Sequence, residues 1–273
     1  MVNSIRDHLN EEDTISEIKL MLGQSKDVVC VVVEGEDDIS LFNSLLLENV
    51  EVFQSYGSCI GIDEIIKTYF PKQKRVIGIK DKDYLKKPIN KRIFFCDYSC
   101  LEMMIVSLDD CFDRIYSNCY KKSEYNSKEL KLYCLKHLEI LSKLRQLNFL
   151  LQWGIKFDGI KMSNCYNHDV SIMNTNIITE INKQNSNNLD HNKLEKTQEL
   201  PECIDEKDYL NITNGHDFIS LFNVMCKSKK AAFSNRTAGI VLRSTFGKEE
   251  FKKTELFSNL VDYQQEKGLS IVE

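Results

Sequence analysis

Five carboxylates stand where apolar segments stop. Glu34 ends the run DVVCVVVEG, and Asp81 and Asp83 end a second one, RVIGIKDKD. Asp38 follows Glu34 by four residues, and Glu102 lies just beyond a further apolar segment, RIFFCDY. Acidic side chains that converge without partners repel one another and bind protons more tightly. A hard divalent cation removes that cost, and oxygen donors at this density suit Mg2+ or Mn2+. Such an ion bridges phosphate oxygens and stabilises charge in phosphoryl transfer. The candidate metal ligands, for up to two ions, are therefore Glu34, Asp38, Asp81, Asp83 and Glu102, and Glu34, Asp81 and Asp83 are also candidates for the chemistry itself. Lys80 and Lys82 flank the acidic pair, and either could neutralise transition-state charge; Lys82 joins the catalytic set and Lys80 the substrate-binding one. His216, at a helix start in TNGHDF, with Arg236 and Arg243, completes the substrate-binding candidates. Plainer alternatives stand beside these: Asp38 as a helix N-cap, Glu102 as a surface pair, His216 and Asp217 as cap and turn, the arginines as surface ion-pair partners.

These residues need elements to hold them. An apolar stripe of Ile15, Ile18, Met21 and Leu22 predicts a helix over 12–23. DVVCVVVEG reads as a strand buried on both faces, as in a parallel sheet. DDISLFNSLLLEN predicts a helix with Asp37 or Asp38 as N-cap. VEVFQSY, RVIGIKD and RIFFCDY predict three more strands, with IDEIIKTYF and LEMMIVSL as helices. That order is β-α-β-α-β-loop-β-α, an α/β domain with a mainly parallel four-stranded sheet flanked by helices over residues 1–107. In such sheets ligands gather at the carboxyl ends of the strands. Alternate residues of an extended strand point the same way, so Asp81 and Asp83 are expected to share one ligand. Residues 108–273 are expected to form a mainly helical lobe. Leucines at 135, 138, 141, 144, 147 and 151 predict a helix over 128–153, and an Asn- and Gln-rich stretch near 174–204 reads as a mobile linker. Late helices such as 249–266 could form a homodimer surface.

The 273 residues are 42% hydrophobic, enough for one large domain or a core domain with a second lobe. No apolar run approaches the roughly 18 residues that would span a bilayer, and the polar N-terminus is not expected to be a signal peptide. Ten scattered cysteines, several inside strand-like runs and none in a C-x-x-C pair, read as buried free thiols of a reducing cytosol. A zinc site from Cys96, Cys100 and a distant histidine is the alternative. The net charge of −5 does not advertise nucleic-acid binding, but the charge is uneven. Residues 67–92 hold ten Lys or Arg against two Asp, and residues 227–253 hold eight against two Glu. Such stretches can attract a polyanion locally, or can be ordinary solvated surface.

A lone D-x-D is shared by nucleotide-sugar transferases and phosphatases. A strand–Glu–Gly–helix followed 47 residues later by strand–D-x-D is more specific. Over residues 27–105 it resembles the TOPRIM domain of topoisomerases, primases and OLD-family nucleases. VVVEGEDDISLF, IGIKDKDY, FFCDYSCLEMMI and the late NGHDF resemble more closely one TOPRIM-containing family, which includes the AriB-type effector nuclease of the PARIS anti-phage system. The resemblance implies a TOPRIM-like fold and a Mg2+-dependent nuclease acting on RNA such as tRNA, held by an ABC- or AAA-type ATPase partner until infection releases it. It matches Glu34 to the TOPRIM glutamate, Asp38 to a second-metal position, Asp81 and Asp83 to the paired aspartates, and Glu102 to a glutamate of the LE-apolar segment. Ser99 and Cys100 stand where a more polar or acidic pair is expected. The alternative is a TOPRIM module that docks on an ATPase and cuts nothing. Strand passage and priming are disfavoured, because the chain shows no tyrosine-nucleophile domain or zinc module.

Overall fold

The computed structural model describes residues 11–185, 189–227 and 234–273. In chain order the first elements are α1 (Glu11–Gln24), β1 (Val29–Val33), α2 (Glu36–Leu45), β2 (Val50–Gln54), α3 (Ser58–Glu64), β3 (Val76–Lys80) and β4 (Ile93–Phe95). Then follow α4 (Leu101–Ser107), α5 (Asp109–Cys119), α6 (Ser127–His137), α7 (Glu139–Leu151), α8 (Met162–Cys165) and α9 (Val170–Gln184). The last are α10 (His191–Glu195), α11 (Glu206–Ile212), α12 (Gly215–Cys226), α13 (Asn235–Ser244), α14 (Lys248–Phe251) and α15 (Glu255–Lys267).

Two compact units result: the described residues up to Asp97 together with Gly247–Glu273, and Tyr98–Phe246. The sequence expectation put one break at 107 and gave the whole remainder to the helical lobe; the division differs at both ends. The six apolar-rich residues Leu101–Val106 of α4 are all buried, and α4 belongs to the second unit. The C-terminal helices return to the first. Asp97, just past β4, accepts hydrogen bonds from the Glu255 and Leu256 amides at 2.8 and 2.9 Å, and Tyr263 meets Phe94 edge-on at 5.4 Å. The apolar face of α15, with Leu256, Leu260 and Tyr263, is thus buried within its own unit.

The first unit is α/β, with an all-parallel sheet in the order β2-β1-β3-β4. All five residues of β1 are buried, as the unbroken apolar run requires of a central parallel strand. Cys30 and Val32 join Ile15, Ile18, Ile62, Ile66 and Val76 in one core, and Val29, Val31 and Val33 alternate to the other face. A β-carbon on Gly78 would come within 2.5 Å of Ile62 Cγ2, so glycine lets α3 lie close on β3. Arg92 is buried, and its guanidinium donates to the carbonyls of Ile66, Phe70, Pro71, Gln73 and Val76. It closes the end of the π-helical turn Ile65–Tyr69 that extends α3. Within the basic stretch 67–92, then, Arg92 is structural, as is Arg75, which donates to the Leu22, Ser25 and Val28 carbonyls.

The second unit is helical. The expected helix over 128–153 is two, α6 and α7, parted at Leu138, whose amide doubles back onto Cys134 and Leu135. The stretch near 174–204, expected to be a mobile linker, is largely ordered helix. Met173, Ile177 and Ile181 recur every four residues along α9 and are fully buried, and Asp169 caps its start. The surrounding asparagines hid that stripe from a reading of composition. Residues 186–188 of the stretch, and 228–233 of the second basic one, lie outside the described residues. All ten cysteines are free thiols; Cys59 and Cys203 are half-buried and the rest buried. Among the described residues no helix is long and apolar enough to cross a membrane.

Candidate active site

The chain leaves β1 on one side to form β2, then crosses through α3 to form β3 on β1's other edge. The connections therefore diverge between β1 and β3. In open parallel sheets the crevice at such a switch point, outside the carboxyl ends of the strands, is where ligands bind. Glu34 follows β1, and Asp81 to Asp83 follow β3, so sequence and topology put these carboxylates at that crevice.

The two strand ends are tied together. Glu34 Oε1 accepts a hydrogen bond from the Asp81 amide at 2.9 Å. Asp81 and Asp83 are not on an extended strand, as the alternation argument assumed. The strand stops at Lys80, the Leu85 amide bonds back to the Lys82 carbonyl, and Asp83 has a left-handed φ of 47°. Aspartate tolerates that region better than most residues, and strain of this kind concentrates at functional sites. Burial raises the proton affinity of the Asp83 carboxyl, the Glu34 charge raises it further, and Lys80 opposes both. The Cys59 thiol, in the first turn of α3, is also raised by burial and then by Glu34, with Lys80 opposing and Asp83 and Asp63 adding. Glu34, Cys59, Asp63, Lys80 and Asp83 thus share one electrostatic neighbourhood.

The remaining candidates are placed as follows. Asp38 is not the N-cap of α2; Gly35 is. Asp38 sits three residues on, and its Oδ2 accepts the Gly35 amide at 2.9 Å. A carboxylate in that position bonds back to the cap residue's own amide. Lys80 was expected to contact substrate. It is 4% exposed, with its ammonium 3.2 Å from both oxygens of Asp63 and 3.3 Å from the Cys59 carbonyl. Lys82 is half-buried in the acidic turn, and its charge lowers the proton affinity of Asp97, which burial raises.

Glu102, His216, Arg236 and Arg243 belong to the second unit. There Glu102 is buried and pairs with Arg243 at 3.5 Å. A β-carbon on Gly215 would come within 2.4 Å of Glu102 Oε2, so only glycine lets α12 start so close to α4. His216 is exposed at the mouth of a cleft of about 350 Å3 beside Arg145 and Asp217, which form a two-bonded ion pair at 2.6 and 2.9 Å. Arg236 is exposed on α13. Sequence reasoning missed Asp63, Cys59 and Asp97; the only signal for the first two was their four-residue spacing on one face of α3.

Among the described residues no three His, Cys, Asp or Glu side chains form a ready-made metal site. The donor type nevertheless suits a hard divalent cation: Glu34 and Asp83 are partly buried oxygen donors, and the Glu34 charge adds to the burial that raises the proton affinity of Asp83. Fold and site together define a parallel α/β unit with an acidic switch-point crevice, joined to a helical unit. Among known proteins, no family model matches the chain and no curated protein matches it.

Proposed function

We propose that the protein is a divalent-cation-dependent nuclease of TOPRIM type, acting on RNA in preference to DNA. The observation that carries this reading is the Glu34–Asp81 hydrogen bond across the β1–β3 switch point, with Asp83 raised by burial and by Glu34 beside it. Glu34 and Asp83, with Asp81 adjoining, would hold Mg2+ or Mn2+. When bound, the ion would neutralise the carboxylates and polarise a phosphodiester oxygen. Glu34 fixes the acidic turn through the Asp81 amide, and Lys82 stands between the two aspartates in that turn. Lys86, Lys87 and Lys91 are exposed on the loop between Asp83 and β4 and supply a positive rim for a phosphate backbone. The motif resemblance supports a narrower reading, an anti-phage effector held silent by an ATPase partner.

The test is incubation of purified protein, alone and with a co-expressed ATPase partner, with tRNA, single-stranded RNA and plasmid, in Mg2+ or Mn2+ against EDTA. The reading expects cation-dependent cleavage that Glu34→Gln abolishes. Absence of cleavage in every arm, with stable ATPase association and full function of an Asp81→Ala variant, would replace it with a non-catalytic docking module.

A further inference from the structure

The helical unit carries an open cleft of about 600 Å3 that the proposed cleavage chemistry does not use. Ligand sites ordinarily have volumes of about 300–1,000 Å3. Its walls come from the end of α6, the start of α7, the start of α9 and the segment 197–203 before α11. Ile140, Val170 and Leu200 give it an apolar side, and Val170 is exposed there. The charged lining balances, with Lys136 and Lys143 against Glu139 and Glu202. Lys143 is buried, and its ammonium lies 2.7 Å from Glu139 Oε1, so that pair is already neutral within the wall. A lining with as many carboxylates as ammoniums offers a polyanion no net attraction, unlike a nucleic-acid surface. One lining group lacks a partner. Asn174, on α9, is half-buried, and its Oδ1 is buried with no hydrogen-bond donor facing it among the described residues. An acceptor in that state costs stability, and such groups are rare in folded proteins. Turning the amide into the cleft breaks no hydrogen bond at Oδ1. There it would present an acceptor and a donor side by side. The N–H and C=O of one residue in an extended chain point to the same side and match that pair. An uncharged backbone carrying an apolar side chain thus suits this cleft in charge, hydrogen bonding and surface.

We propose that this cleft binds an extended peptide segment of a partner protein. Asn174 clamps the N–H and C=O of one residue of that segment, and an apolar side chain beside it packs on Ile140, Val170 and Leu200. The site is independent of the cation-dependent reading above, and neither requires the other.

The probe is a random heptapeptide library displayed on phage and selected against the purified full chain; enriched peptides are then synthesised and titrated by fluorescence anisotropy. The expected result is a family of uncharged peptides sharing one large apolar residue, which lose about tenfold or more in affinity for Asn174→Leu and for Leu200→Glu. Bound peptide is expected to slow alkylation of Cys203, which lines the cleft, and to leave that of Cys59, in the other unit, unchanged. Asn174→Leu removes the unpartnered acceptor and is expected to melt no lower than wild type, so its loss of binding is read on a folded chain. Should it fail to fold, Leu200→Glu and the protection of Cys203 still decide. Absence of an enriched family, equal affinity for wild type and both variants, or unprotected Cys203 would overturn the proposal. Free leucine binding as tightly as the peptides, or a uridylate oligomer displacing them, would overturn it in favour of an amino-acid or a nucleic-acid site.

Discussion

Glu34 has two separable jobs, and two substitutions separate them. Its Oε1 accepts the Asp81 amide at 2.9 Å, and its charge raises Asp83. Glu34→Ala removes the acceptor and the charge. A hydrogen bond to a charged group contributes about 1.5–3 kcal/mol when buried, and half-exposure at this site brings the expected loss to about 1–2 kcal/mol. Relief of repulsion at Asp83 returns part of that. At about 2–4 °C per kcal/mol for a chain of this size, Glu34→Ala should melt roughly 2–5 °C below wild type. Glu34→Gln keeps an oxygen acceptor of the same reach and removes only the charge. It should melt at or above wild type. Both variants should lose cleavage by at least about a hundredfold, because both lose the anionic donor. The assay is thermal unfolding in EDTA, followed by the same curves in excess Mg2+ and by tRNA cleavage. Only wild type should be stabilised by the ion, since a ligand raises stability only through the state that binds it. The reasoning fails if Gln and Ala melt alike in EDTA, or if the Gln variant cleaves like wild type.

Other consequences follow from the same geometry. Asp83 has a folded-state proton affinity above its unfolded one, so its charge costs stability at neutral pH. Asp83→Asn should therefore raise the melting temperature at pH 7 in EDTA, and the gain should vanish as pH falls below the ordinary carboxylate range, about 4, where wild-type Asp83 is protonated in both states. Arg92→Met keeps much of the bulk but strands five carbonyls; a loss of about 3 kcal/mol or more, read by urea unfolding, is expected, and a loss below about 1 kcal/mol would show that solvent replaces the guanidinium freely. Burial, then Glu139, pushes the half-buried Cys203 thiol up to about 11. Its alkylation at pH 8, followed by mass spectrometry, should run roughly a hundredfold slower than a free thiol's and climb about tenfold per pH unit; a rate like that of free cysteine would refute the assignment.

The central strands β1 and β3 were legible because burial on both faces leaves an unbroken apolar run, and the run VVCVVV has no other comfortable home. Glu34, Asp81 and Asp83 were legible for the same reason: a charge that ends such a run must lie at the strand's exit. What the sequence hid is set by partners distant in the chain. That Lys80 points down onto Asp63 and not outward depends on α3 crossing to β3, which no local pattern records. Asp97 reads as one more acidic residue after a strand until α15, 158 residues later, presents its first amides to it. The 174–204 stretch failed for a different reason. Hydrophobic residues spaced four apart suffice to bury one face of α9, and the polar residues between them dominate any average over composition. The charge count misled in the same way, because Arg75 and Arg92 bind backbone carbonyls within their own unit. The positive surface of the first stretch is therefore carried by its exposed lysines, Lys67, Lys72 and Lys74 before the acidic turn and Lys86, Lys87 and Lys91 after it, the last three following the candidate site directly. Exchanging Lys86, Lys87 and Lys91 for glutamine should lower the salt dependence of RNA binding while leaving the fold's melting temperature nearly unchanged.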